Sequence, residues 1–127
     1  MLSGIHHVAI ICSDYPRSKS FYCDTLGLTI VNEQYRASRD SYKLDLALPD
    51  GGQLELFSFP EPPHRLSNPE AQGLRHLAFV VESIETAVAA LGAKGVEVEP
   101  IRIDELTGKR FTFFRDPDNL PLELYEK

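Results

Sequence analysis

The chain has 127 residues, 43% of them hydrophobic and 25% charged, with 13 basic against 19 acidic side chains and a net charge of −6. Such a length buries roughly two-thirds of the unfolded surface, so one domain is expected without staples, and the composition excludes an intrinsically disordered chain. The acidic balance argues against a nucleic-acid partner, and no apolar run approaches the roughly 20 residues of a membrane span. The first residues lack a secretory pattern, and Cys12 and Cys23 make no disulfide framework. A cytoplasmic protein acting on a small molecule is the expectation.

Residues 5–12 alternate and are rich enough in β-branched side chains to predict a strand. Asp14 can cap a following helix, Pro16 suits its first turn and Gly27 can close it. Strands are predicted near 28–36, 43–48 and 52–59, with Asp50-Gly51-Gly52 as the turn between the last two. Between Phe59 and Pro69 the chain is proline-rich and reads as a stiff connector. Beyond it the order repeats. A strand over 75–81 leads to a helix capped by Ser83, with Ile84, Ala87, Val88 and Leu91 on one face and Gly95 at its end. Strands near 96–103, 110–115 and 121–126 complete the second half. The fold class is therefore α+β, a single domain over 1–127 built from two βαβββ modules. Module one covers about 1–60, the connector about 60–72 and module two about 73–127.

The repeat is visible in detail. His7-Val8-Ala9-Ile10 reads against His76-Leu77-Ala78-Phe79, and Leu54-Glu55-Leu56-Phe57 against Leu122-Glu123-Leu124-Tyr125. The two His stand 69 residues apart and the two Glu 68 apart, so each half spaces its His and Glu almost identically. Side chains alternate faces along a strand. With Leu54 and Leu56 on the covered face, Glu55 points the other way with Phe57 and Phe59; Glu123 and Tyr125 do the same between Leu122 and Leu124. His7 and His76 group with small Ala9 and Ala78, leaving room for a ligand. A carboxylate among leucines is costly to bury unpaired. Two of them, each with an imidazole, point to one divalent ion (Zn, Ni, Co, Mn or Fe) held by His7, Glu55, His76 and Glu123, with positions left for water or substrate. His6 is expected on the opposite face, in a structural role.

These stretches, together with Ser20-Phe21-Tyr22, Leu26-Gly27-Leu28 and Asp116-Pro117-Asp118-Asn119-Leu120-Pro121, resemble the vicinal oxygen chelate superfamily that includes glyoxalase I. The resemblance spans essentially the whole chain. Glu55-Leu56-Phe57-Ser58-Phe59-Pro60 and Lys109-Arg110-Phe111-Thr112-Phe113-Phe114 are similar to its small glyoxalase-like members. The resemblance implies two βαβββ modules forming a cupped, mostly antiparallel sheet around a divalent metal, with His7, Glu55, His76 and Glu123 as its ligands. It implies a lactoylglutathione lyase-type isomerisation through a metal-bound enediolate, with Glu123 as first choice of base and Glu55 as second. It also implies a homodimer, the ligands coming from one chain or from two.

Two positions depart from the glutathione-dependent pattern. Ile11 and Phe59 stand where an Arg and an Asn that grip glutathione are found, so a different small oxygenated substrate is expected. Phe57, Phe59 and Tyr125 suggest an aromatic pocket wall, and Arg39, Arg75 and Arg110 are candidates to hold an anionic group. The competing readings are another metal enzyme of the same superfamily (an epimerase, thiol transferase or dioxygenase) and a non-catalytic small-molecule-binding module.

Overall fold

The computed structural model describes residues 1–127, which divide into two compact units, Met1–Pro63 and His64–Lys127. In the first, β1 (His7–Cys12), α1 (Tyr15–Ser20), β2 (Thr29–Arg36), β3 (Ser41–Ala47) and β4 (Gln53–Ser58) give a four-stranded sheet of order β1-β4-β3-β2. In the second, β5 (Leu77–Val81), α2 (Ile84–Ala93), β6 (Arg102–Ile103), β7 (Arg110–Arg115) and β8 (Pro121–Glu126) give the order β5-β8-β7-β6. Each unit is a βαβββ module with a mixed sheet. The first and last strands pair in parallel and the others antiparallel.

Local chemistry explains the helices. The Asp14 carboxylate accepts the Arg17 N–H at 3.2 Å, and the Ser83 hydroxyl accepts the Thr86 N–H at 3.3 Å, each satisfying a donor that the first turn leaves orphaned. The helix after Asp14 does not run uniformly to Gly27. From Phe21 to Thr25 it widens into a π-helical turn, and the Leu26 N–H donates to the Phe21 carbonyl. Gly27, at φ +76°, then reverses the chain so that the Leu28 N–H reaches the Tyr22 carbonyl at 3.0 Å, an end that favours glycine.

The alternation is visible in the cores. Ile10, Cys12, Leu44, Leu46, Leu54 and Leu56 are buried on one sheet face, with Ser18 and Tyr22 from the helical segment also buried. Ile84 and Leu91 of α2 are buried with Phe114, Leu122 and Leu124, and α2 packs on β8. Cys12, 1% exposed, packs as a small hydrophobe on the same face as Ile10.

One strand is shorter than expected. Of 96–103, only Arg102–Ile103 joins the sheet. The Glu99 N–H donates to the Phe113 carbonyl at 2.9 Å, but Pro100 has no N–H to continue the ladder. The buried Thr112 hydroxyl reaches the Glu99 carbonyl at 2.7 Å and anchors this irregular edge instead.

The turn into β8 is fixed by a buried carboxylate. Asp116 Oδ1 accepts the N–H groups of Asp118 and Leu120 at 2.8 and 2.9 Å. Asp116→Ala leaves both donors without that acceptor and is expected to cost about 1–3 kcal/mol, read as a lower midpoint in urea unfolding; an unchanged midpoint contradicts the assignment.

Candidate metal centre

Each parallel strand pair brings one imidazole to one carboxylate. In β1–β4, Ala9 lies directly across from Glu55, and in β5–β8, Ala78 lies directly across from Glu123. The His two residues before each Ala is therefore the diagonal neighbour of the Glu on the same face. The small alanine side chain lets the imidazole lean across. His7 Nε2 lies 3.4 Å from Glu55 Oε2, and His76 Nε2 lies 2.9 Å from Glu123 Oε2. The offset is the same in both units, so the repeat read in the sequence is also a repeat of geometry.

The residue before each His meets its other ring nitrogen. His6 Nδ1 is 2.9 Å from His7 Nδ1, and Arg75 Nη1 is 3.1 Å from His76 Nδ1. A guanidinium only donates, so His76 Nδ1 accepts, which leaves the proton of the neutral ring on Nε2, the nitrogen that faces Glu123. His6 is exposed and edge-on to His7 rather than turned away from it.

Surroundings differ between the two pairs. In β3, Lys43 and Asp45 alternate with the buried Leu44 and Leu46 and share the face of Glu55, which Asp45 directly opposes. Lys43 Nζ sits 2.6 Å from Asp45 and 3.8 Å from Glu55. Sequence reasoning missed both residues, although alternation about those leucines signals them. In β7 the position across from Glu123 is Phe113, whose ring meets His76 edge to face at 5.1 Å. Glu123 is only 8% exposed, and its one ion-pair partner is His76.

The other predicted residues fall into place unevenly. Phe57 and Phe59 stack at 6.0 Å, with Arg36 over both rings and Arg39 over Phe59. Tyr125 stacks on Phe111 and donates its hydroxyl proton to Asp104 at 2.9 Å. Arg75 is held by Glu70 at 2.5 Å as well as by His76. Arg110 alternates with Phe111 onto the helix side, where Glu126 and Glu85 grip its guanidinium and their carboxyls are held below the usual range by it. It does not share a face with Glu123. Ile11 and Val80 do lie on the faces of their respective Glu residues and are exposed.

A family model described as "Glyoxalase/Bleomycin resistance protein/Dioxygenase superfamily" matches residues 4–124. The chain is 62% identical to the uncharacterized protein YwkD of Bacillus subtilis over 127 residues, covering 100% of this chain and 99% of that one. It is 60% identical to the uncharacterized protein YaeR of Escherichia coli, covering 99% and 98%. The crystal structure of a glyoxalase family protein from Enterococcus faecalis superimposes with a TM-score of 0.90 at 51% identity, covering 97% of each chain.

Proposed function

This chain belongs to the glyoxalase/bleomycin resistance protein/dioxygenase superfamily, and from that premise we propose that it is a divalent-metal enzyme of glyoxalase type, moving a proton between adjacent carbons of a small oxygenated substrate. The observation that carries the reading is the pair of His–Glu contacts at 3.4 and 2.9 Å, placed identically by the register of both units.

The donor chemistry fits a metal. Each contact sets an imidazole nitrogen beside a carboxylate oxygen, a pair of donors that a cation would draw together. His7, Glu55, His76 and Glu123 would hold it, from one chain or shared across a homodimer. Two neutral imidazoles and two carboxylates suit Zn, Ni, Co, Mn or Fe and neutralise a divalent charge. When bound, such an ion supplies positive charge to a developing oxyanion.

Glu123 is the proposed base. Lys43 lies within ion-pair distance of Glu55, whereas Glu123 has no lysine or arginine so placed and is free to turn from His76 toward a substrate C–H. Glu55, tethered by Lys43, is the second choice. Exposed Ile11 and half-buried Phe59 offer no charged grip for a tripeptide, which favours a small carbonyl compound over a glutathione adduct. The test is protein loaded with each metal in turn and offered methylglyoxal, alone and with glutathione or smaller thiols, in deuterated buffer. The expected product is a 2-hydroxy acid or its thioester, formed only in the metal-loaded protein. Full metal occupancy without conversion of any 2-oxoaldehyde overturns the isomerase reading and leaves small-molecule binding.

A further inference from the structure

A cavity of ≈ 210 Å³ in the His64–Lys127 unit is lined by four arginines, Arg65, Arg75, Arg102 and Arg115, against two glutamates, Glu70 and Glu99. In a chain of net charge −6 this is a local excess of positive charge. The four are not equally engaged. Arg75 is neutralised by Glu70 at 2.5 Å. Arg102 donates one Nη2 hydrogen bond to Glu99 at 3.5 Å, a long ion pair, and its guanidinium lies over Phe111 and Phe113 at 5.0 and 5.6 Å, which fixes the plane and leaves its other N–H groups for donation. Arg65 has no carboxylate partner. It is oriented by the Ser67 hydroxyl at 2.8 Å and the Leu74 carbonyl at 3.1 Å, and buried Ser67 is itself anchored to the Asn119 carbonyl at 2.9 Å. The guanidinium of Arg115 makes no ion pair or hydrogen bond.

We propose that this cavity is an oxyanion-binding subsite that takes the carboxylate, phosphate or phosphonate group of a small molecule on Arg65, Arg102 and Arg115. Planar guanidinium edges match such groups by charge-assisted hydrogen bonds. Two of its walls touch the metal-centre histidine: Phe113 meets the His76 ring, and Arg75 its Nδ1. An anion seated here therefore adjoins the His76–Glu123 pair. Its further role as the anchor of the substrate, which narrows that substrate to an acid or phospho compound bearing an adjacent oxygen function, rests on the metal-enzyme reading above.

The experiment titrates methylphosphonate and, separately, acetate into chelator-treated protein while amide resonances are followed by NMR. Saturable shifts are expected around residues 65–67, 102 and 115. Arg65→Gln is expected to weaken binding about tenfold, the scale of one lost charge-assisted hydrogen bond, and the double variant Arg102→Gln with Arg115→Gln about a hundredfold. Arg102 and Arg115 are exposed, so the double variant keeps the fold if Arg65→Gln does not. Comparing the two probes tells a phospho ligand from a carboxylate. Absence of saturable binding, or unchanged affinity in the double variant, overturns the subsite. Binding that requires added metal and ignores the arginines also overturns it, while supporting the metal centre. Binding that survives in Glu123→Gln, whatever that variant's metal content, upholds the subsite even if the enzyme reading fails.

Discussion

If the proposed metal centre is right, Glu123→Gln and His76→Ala, purified without chelator, are expected to hold less than a tenth of the divalent metal found on the wild-type protein by elemental analysis. The reason is charge and donor number together. Removing Glu123 deletes the anionic oxygen of one His–Glu pair, and removing His76 deletes the nitrogen that meets it at 2.9 Å. A second-sphere partner alone is worth roughly 10–100-fold in metal affinity, and a direct ligand is worth at least that. His7→Ala is expected to behave alike. A mixture of His7→Ala and His76→Ala chains then reports on sharing. If each centre draws one pair from each of two subunits, half the mixed dimers are hybrid and carry one intact centre, so about a quarter of the sites recover metal. If one chain supplies all four ligands, none recover. Wild-type metal content in both His76→Ala and Glu123→Gln removes these residues from the ligand set.

Phe114→Ala carries the largest expected loss of stability. Phe114 is 1% exposed, between Phe113 on the opposite face and the buried turn residue Asp116. Truncating a buried phenylalanine costs about 3–5 kcal/mol through lost transfer energy and the cavity left behind. For a chain of this size that lowers the melting temperature by on the order of 10–20 °C. Phe113→Ala is the informative neighbour: one residue along, it faces His76 rather than the core, so it is expected to change the centre more than the melting temperature. Equal melting temperatures for wild type and Phe114→Ala would contradict the core assignment.

The two His–Glu pairs were legible because they follow from rules that act within a few residues. Period-two alternation put Glu55 and Glu123 opposite their flanking leucines, and the internal repeat turned two unremarkable histidines into a set. Lys43 and Asp45 obey the same rule, alternating with Leu44 and Leu46. Applied to β7, it groups Arg110 with Thr112 and Phe114 on the helix side. What lay outside sequence reading depends on distant segments meeting. The π-helical turn at Phe21–Thr25 leaves no local composition mark. The shortness of β6 was marked locally by Pro100, but the anchoring of the Glu99 carbonyl on the Thr112 hydroxyl was not. Arg65, Arg102 and Arg115 carry no common period; only the folding of 65–75 beside β7 brings them to one cavity.

The parallel pairing of each module's first and last strands sets where this architecture tolerates change. A one-residue slip between β1 and β4 would turn Glu55 to the leucine face and erase the pair, and the same holds for β5, β8 and Glu123. The β2–β3 hairpin bears no such constraint, because neither His7 nor Glu55 takes its position from that pairing. Insertions and deletions can accumulate in that hairpin, and in the β6–β7 turn, while the chemistry stays in frame. Proteins of this build can thus diverge in those loops while the His–Glu register is left untouched.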